Sequence, residues 1–248
     1  MKILHYMLGL PPLHEGGLMI YARDLIYEQK EQGNDVSIII PGRYNYFNHK
    51  SKIKYIQKIS NIPIYFLNNP LPISFNGFQN PYSFISKRNT KNIFKYFKKN
   101  KFDILHIHSL IGLPKEFVED AKSANVKIVF TSHDYFGLCP KIHFYKYDDT
   151  DCLENYDIRN CVYCNENSFI FNIWSKIKRN IRLLFFIYDK KSLILKNVNK
   201  INNRFKRKNI RKNSKYKNTK HVNSYNNYIK WLNYEKEILK NIDLILFN

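Results

Sequence analysis

Between Phe102 and Pro140 the apolar positions form two short continuous runs, Ile104 to His108 and Val126 to Phe130. Leu113, Phe117, Val118 and Ala121 lie between them at helical spacing. The pattern predicts strand, helix, strand, the crossover that parallel pairing requires and that is right-handed in nearly every case. An earlier stretch repeats it. Lys2 to Leu8 and Val36 to Ile40 read as buried strands around Leu18, Tyr21, Ala22, Leu25 and Gln29, with Ile20 and Ile26 widening the stripe. Prolines and glycines from Gly9 to Gly17 mark a loop, and Gly33 caps the helix end. Residues 43–52 read as a loop, Ile62 to Leu67 as a strand with Pro63 near its start, and Ile85 to Phe97 as a helix with a basic face. Phe169 to Ile187 and Tyr228 to Leu239 have helical spacing, and residues 202–227 between them are polar, basic and poorly periodic, a mobile connection or ragged helix. Asp243 to Phe247 is a last buried strand. Strands near 2–8, 36–40, 103–108, 126–131 and 243–247 are expected in one parallel sheet.

Composition narrows the setting. A hydrophobic fraction of 44% over 248 residues supports a globular core, and no uncharged apolar run is long enough to span a bilayer. The opening MKILHYMLGL lacks a cleavage site and reads as a strand, so a cytoplasmic location is expected. The net charge of +21 is concentrated: residues 165–240 hold 20 Lys/Arg against 4 Asp/Glu. That segment reads as a solvated basic tail or as a surface for anionic lipid. Nucleic acid is not expected as a partner, because no recognised binding motif accompanies the charge.

Both central strands stop on polar residues, His108-Ser109 and Thr131-Ser132-His133-Asp134. Open parallel sheets bind ligands beyond the carboxyl ends of their strands, which makes His108, Thr131, His133 and Asp134 candidate site residues. A histidine there can donate to a sugar hydroxyl or phosphate oxygen, and Asp134 can orient the ring, bind a hydroxyl or simply form a turn. His106 shares a face with His108 and reads as a core histidine. Gly16-Gly17 permits close backbone approach at a helix start, for a phosphate or for a tight turn alone; neither a dinucleotide fingerprint nor a P-loop is present. Cys139, Cys152, Cys161 and Cys164 all fall within 26 residues. They read as a structural zinc site or as reduced structural thiols, the acidic loop arguing against a redox pair. Phe169 to Ile187 combines apolar and basic positions, suiting either a membrane interface or packing on the sheet.

The opening through Gly42, the segments FDILHIHSL and IVFTSHDYFGLCP, and KNIDLILFN together resemble family 4 glycosyltransferases, over most of 1–164 and the last few residues. The resemblance implies an α/β fold: a Rossmann-like parallel sheet, the N-terminal half of a GT-B fold, carrying a cysteine-containing insert at 139–164 and a basic helical region at 165–240. Residues 1–248 are expected to be a single acceptor-side domain, without the C-terminal domain that binds the donor. Gly16 and Gly17 would then meet donor phosphate or acceptor, while His108, Thr131 and His133 would line the acceptor side. The expected function is transfer from a nucleotide sugar to a cell-surface polysaccharide or lipid-linked acceptor, inactive without the second domain and needing no metal for the chemistry. The alternative is a non-catalytic binding module docking on a membrane or a separate donor domain. The expected location is the cytoplasm, either free or peripheral on the inner face of the membrane, with an anionic membrane surface as a candidate partner.

Overall fold

The computed structural model describes residues 1–248 except 49, 147, 149, 154–155, 189–220 and 248. Seven strands form one sheet: β1 (Lys2–Tyr6), β2 (Asp35–Pro41), β3 (Lys52–Ile59), β4 (Ile62–Asn68), β5 (Ile104–Ile107), β6 (Lys127–Ser132) and β7 (Leu244–Phe247). The described helices are α1 (Gly17–Glu31), α2 (Lys91–Asn100), α3 (Lys115–Ser123), α4 (Asn160–Cys164), α5 (Ile173–Tyr188) and α6 (His221–Leu239). The strand order is β3-β4-β2-β1-β5-β6-β7, parallel throughout except for the antiparallel β3–β4 pair. The chain therefore builds outward from β1 in one direction, then returns to β5 and builds outward in the other. The reversal between β1 and β5 is a topological switch point, where doubly wound sheets open a crevice for ligands.

Right-handed crossovers running in opposite directions place α1 and α3 on opposite faces. Alternation along β1 shows both. Tyr6 faces the ring of Phe117 on α3 at 6.2 Å, and its hydroxyl donates to the Ile111 carbonyl at 2.9 Å. His5 points the other way, towards α1. The central strands are buried on both faces, so their sequences are continuous apolar runs rather than alternating ones.

The strands expected at 2–8, 36–40, 103–108, 126–131 and 243–247 are all present and mutually parallel. Two local elements differ from expectation. β3 occupies 52–59, where no strand was expected, and joins β4 through Ser60 and Asn61, both at positive φ. Ser-Asn is not the Asn-Gly pair that signals such a turn, and a bulge between Tyr55 and Gln57 breaks the alternation of β3. The helix expected at 85–97 is instead a 3-10 turn at Pro81–Ile85 followed by α2, which Lys101 ends in the left-handed conformation. The connection expected at 202–227 lies outside the described residues up to 220 and is helical from His221.

Two late elements close the structure. Trp231 of α6 is fully buried among Phe78, Phe136 and Tyr228, and the Tyr228 hydroxyl donates to the Phe78 carbonyl at 2.6 Å. β7 is fixed by Asp243, whose carboxylate accepts from the Ile128 amide at 2.9 Å and from Lys122 Nζ at 2.6 Å. The burial expected of this last strand is not found: all four β7 side chains are exposed, because β7 is an edge strand, and the opposite edge strand β3 carries Lys52, Lys54 and Lys58 outward.

Candidate active site

The switch point is occupied by imidazoles. The tripeptide Ile-Leu-His occurs in β1 and again in β5, and the register pairs Ile3 with Ile104, Leu4 with Leu105 and His5 with His106. Two residues on, His108 lies on the same face as His106. The result is a stack: His106 and His108 have centroids 4.2 Å apart, and His5 lies 5.4 Å from each. His5 Nδ1 and His108 Nε2 share a hydrogen bond at 3.1 Å, and His106 Nε2 pairs with Thr131 Oγ1 at 2.8 Å. His5 and His108 are fully buried, and His106 and Thr131 nearly so.

Beyond this stack the edge opens. His133, half-buried just past β6, stands 6.1 Å from His108, and the Tyr21 ring meets it edge-on at 4.8 Å. Tyr21 belongs to the first turns of α1, so the start of α1 and His133 sit side by side. Gly16 has φ 139°, a conformation that essentially only glycine adopts, and α1 begins without any side-chain cap. Nothing lies within 4 Å of where a Cβ would project from Gly16 or Gly17, so a ligand could approach the first amides of α1.

Burial keeps these imidazoles neutral. It lowers His5 to about 3, helped by His106, with Gln29 acting weakly in the other direction. It lowers His106 to about 4, helped by His133. His108 falls well below the ordinary range through burial and then through His106, His5 and His133, and burial also lowers His133. Each ring can therefore donate one hydrogen bond and accept another, but resists becoming a cation.

The ligand nitrogens of His5, His106 and His108 lie within 4.8 Å of one another, the one such group of three among the described residues. These nitrogens already have partners: His5 Nδ1 and His108 Nε2 are bonded to each other, and His106 Nε2 to Thr131 Oγ1. A hydrogen-bonded imidazole stack describes the group better.

Of the residues singled out in the sequence, the structure brings His108, Thr131, His133 and the Gly16–Gly17 loop to the carboxyl edge. Only His133 and the loop reach its surface; Thr131 acts through His106. Asp134 is used locally: its carboxylate accepts from the Phe136 amide at 2.8 Å, and burial raises its pKa. The cysteines gather in the insert, Cys139 and Cys152 packed with Phe144, Cys161 buried and Cys164 half-buried on α4. Burial pushes the Cys161 thiol up, and Cys139, Cys164 and Cys152 add to the shift.

Sequence reasoning missed His5, Tyr21 and Arg179. The repeated Ile-Leu-His was the available signal for His5. Arg179 comes from α5 yet reaches this edge, donating to the Pro41 carbonyl and to His14 Nε2 at 3.0 Å, while Arg182 donates to the Leu13 carbonyl at 2.8 Å. These contacts hold the loop between β1 and α1.

A doubly wound sheet with its polar cluster at the switch point defines a Rossmann-like ligand-binding domain. Comparison with known families gives the class: the Glycosyltransferase Family 4 profile matches residues 15–160, more than half of the chain, and the chain belongs to that family. Among solved structures, it is similar to the catalytic domain of starch synthase IV from Arabidopsis thaliana bound to ADP and acarbose. That match has 16% identity and a TM-score of 0.29, over 54% of this chain and 34% of the other, so the chain spans about a third of that structure's length. No curated protein matches.

Proposed function

We propose that this domain forms the acceptor side of a retaining sugar transfer from a nucleotide sugar to a cell-surface polysaccharide or lipid-linked acceptor. The observation that carries the reading is the meeting of the uncapped start of α1 with His133 and Tyr21 at the switch point of a family 4 domain. The amides after Gly16 suit a phosphate or sugar oxygen, Tyr21 offers an aromatic face, and neutral His133 exchanges hydrogen bonds with a hydroxyl. His108, His106, His5 and Thr131 stand behind as a buried support that fixes the edge. Cys139, Cys152, Cys161 and Cys164 shape the adjoining insert.

Transfer also needs a surface that clamps the nucleotide in attack geometry, since positioning supplies much of the rate. The described residues hold one Rossmann-like unit, and a second unit would supply that clamp. The test compares sugar transfer by the 248-residue chain alone with the same chain joined to a family 4 donor-binding domain, fused or in trans. Transfer only in the combined sample is expected. Transfer by the chain alone would place the donor site within these residues instead. If neither sample transfers sugar but acceptor glycan still binds, the domain is a binding module.

A specific feature favours a membrane setting as well. α5 buries Arg179, Leu183 and Phe186 and turns Ile173, Trp174, Ile181, Leu184 and Tyr188 outward, with Trp174 64% exposed. Lys178 flanks this stripe, and the residues that follow it in sequence are strongly basic. Among the described residues no helix is long and apolar enough to cross a membrane. The stripe suits peripheral contact with an anionic bilayer on the cytoplasmic side.

A further inference from the structure

The chain turns sharply just past His133, and the turn presents a tyrosine. Ser132 Oγ donates to the Asp134 carbonyl at 3.1 Å, the Asp134 carboxylate accepts from the Phe136 amide at 2.8 Å, and the Cys139 amide donates to the Tyr135 carbonyl at 2.8 Å. The backbone of Tyr135 is thereby fixed, while 47% of the residue stays exposed. Its ring is held as well. Phe144 meets it in a T-shaped contact, centroids 4.6 Å apart at 69°, and Tyr156 meets Phe144 likewise at 5.8 Å and 74°. The Tyr156 hydroxyl donates to the Leu138 carbonyl at 2.8 Å, which ties this ladder back to the turn. Phe144 sits at φ 57° and Ile142 at φ 64°, the left-handed region that bulky and branched residues avoid. Such conformations persist only where the surroundings over-determine them.

A T-shaped contact covers at most one face of a ring, so Tyr135 keeps an open face. An aromatic ring locked by its neighbours is a platform of low entropic cost, apolar on its face and polar at its hydroxyl. That is the complement of a sugar ring, which presents C–H groups on one side and hydroxyls around its rim. We propose that Tyr135 forms a carbohydrate subsite, holding the sugar unit next to the reacting one in an oligosaccharide acceptor. That role rests on the acceptor-side function proposed above, and it narrows the acceptor to a glycan of more than one uncharged sugar. Two residues of chain span at most about 7 Å. Tyr135 therefore stands within the length of a disaccharide from His133.

Charge sets this surface apart from the rest of the molecule. Residues 139–164 hold five Asp/Glu against three Lys/Arg, in a chain of net charge +21. An anionic bilayer or a nucleic-acid backbone is drawn to cationic surface and gains nothing from such a segment. Uncharged sugar rings, which bind by stacking and hydrogen bonding, meet no such penalty. Leu138, in the same turn, and Tyr145, directly after Phe144, are exposed as well, so the platform has apolar neighbours for further rings.

The test uses the full chain, first without a donor. Saturation-transfer NMR with cellotetraose, maltotetraose, chitotetraose and mannotetraose should detect binding within this panel, tighter than for the matching monosaccharide. Tyr135→Ala should weaken it about tenfold, the size of one aromatic stacking contact, and Tyr135→Phe should keep most of it. Tyr55→Ala, similarly exposed but on the far edge strand β3, should change nothing. Should Tyr135→Ala fail to fold, shifts of the wild-type Tyr135 ring signals on titration with the bound tetrasaccharide decide. No binding across the panel, or binding indifferent to Tyr135, would overturn the subsite. A wild-type dimer that Tyr135→Ala dissolves would also overturn it, assigning the ring to a protein contact. With a donor-binding domain supplied, Tyr135→Ala should raise KM for the tetrasaccharide and leave kcat nearly unchanged. Transfer that ignores Tyr135 would remove the subsite and leave the acceptor-side function standing. Binding through Tyr135 without any transfer would keep the carbohydrate site and remove its role in catalysis.

Discussion

Arg179 Nη1 lies 3.0 Å from His14 Nε2, although 165 residues separate them along the chain. A guanidinium has no acceptor, so His14 must present an unprotonated nitrogen, and burial followed by Arg179 and Arg182 lowers its pKa to about 3. The same guanidinium donates to the carbonyl of Pro41 at the end of β2. One side chain thus ties α5 to two loops at the carboxyl edge. Burial lowers Arg179 to about 10, so it remains charged at neutral pH.

Removing Arg179 should therefore cost stability as well as order at the edge. Arg179→Ala is expected to lose roughly 1–3 kcal/mol, the cost of leaving buried acceptors without their donor. Arg179→Lys should recover little, since an ammonium does not span both partners in one plane. Urea midpoints measure both. A change under about 0.5 kcal/mol for Arg179→Ala would show that the clasp contributes nothing.

His133 and His106 should separate function from stability. His106 is buried and bonded to Thr131, so His106→Ala should lower stability by roughly 1–3 kcal/mol. His133 is half-buried at the surface of the edge, and His133→Ala should leave the urea midpoint nearly unchanged. In the transfer assay with a donor-binding domain, His133→Ala should reduce activity far more than His106→Ala, once both are compared at equal folded fraction. The reverse order would move the acceptor away from this edge.

The buried imidazoles give a pH signature. The unfolded chain protonates its histidines below about pH 6.5, whereas folded His5 does so only near 3. Between those values the unfolded state binds more protons, and stability falls as pH drops. Glu235, buried and held well above the carboxylate range, contributes with the opposite sign, so the comparison must be between variants. Between pH 6 and 4.5, His5→Gln should lose less stability per pH unit than wild type, by up to about 1.4 kcal/mol. Parallel slopes in urea titrations at several pH values would remove His5 from this account.

Vesicle binding tests the outward stripe of α5. Sedimentation with anionic vesicles should weaken as salt rises, because exposed charges are screened over about 10 Å at 0.1 M. Trp174→Glu should reduce binding at every salt concentration, since it replaces an apolar contact with a repelled charge. Salt-independent binding, or binding unaffected by Trp174→Glu, would return the stripe to packing within the protein.

The central strands were readable because each is a continuous apolar run that ends on a polar residue, and burial on both faces enforces that pattern. The carboxyl edge followed from the same runs, which is how His108 and His133 could be placed before any contact was known. The edge hairpin was not readable: β3 is half-solvated, bulged and closed by an unusual turn pair. α5 shows a deeper reason. Its apolar stripe suited a membrane interface or packing on the sheet equally, and the sheet takes Arg179, Leu183 and Phe186, with the Pro41 carbonyl and the His14 nitrogen offering the guanidinium two acceptors. Periodicity records which residues are apolar; it does not record which acceptors wait on the other side.

The two margins of the sheet differ in a way that sets how the molecule meets others. Lysines along β3 repel a newcomer strand, so that margin is closed to extension. Along β7, Leu244 to Phe247 present unpaired backbone and bare apolar side chains in the described structure. Among the described residues, growth by strand addition, whether wanted or as aggregation, has one place to start. Among the described residues the sheet is closed to extension at β3 and open to it at β7. Conditions that favour association should consequently yield head-to-head pairs through β7, not open-ended stacks.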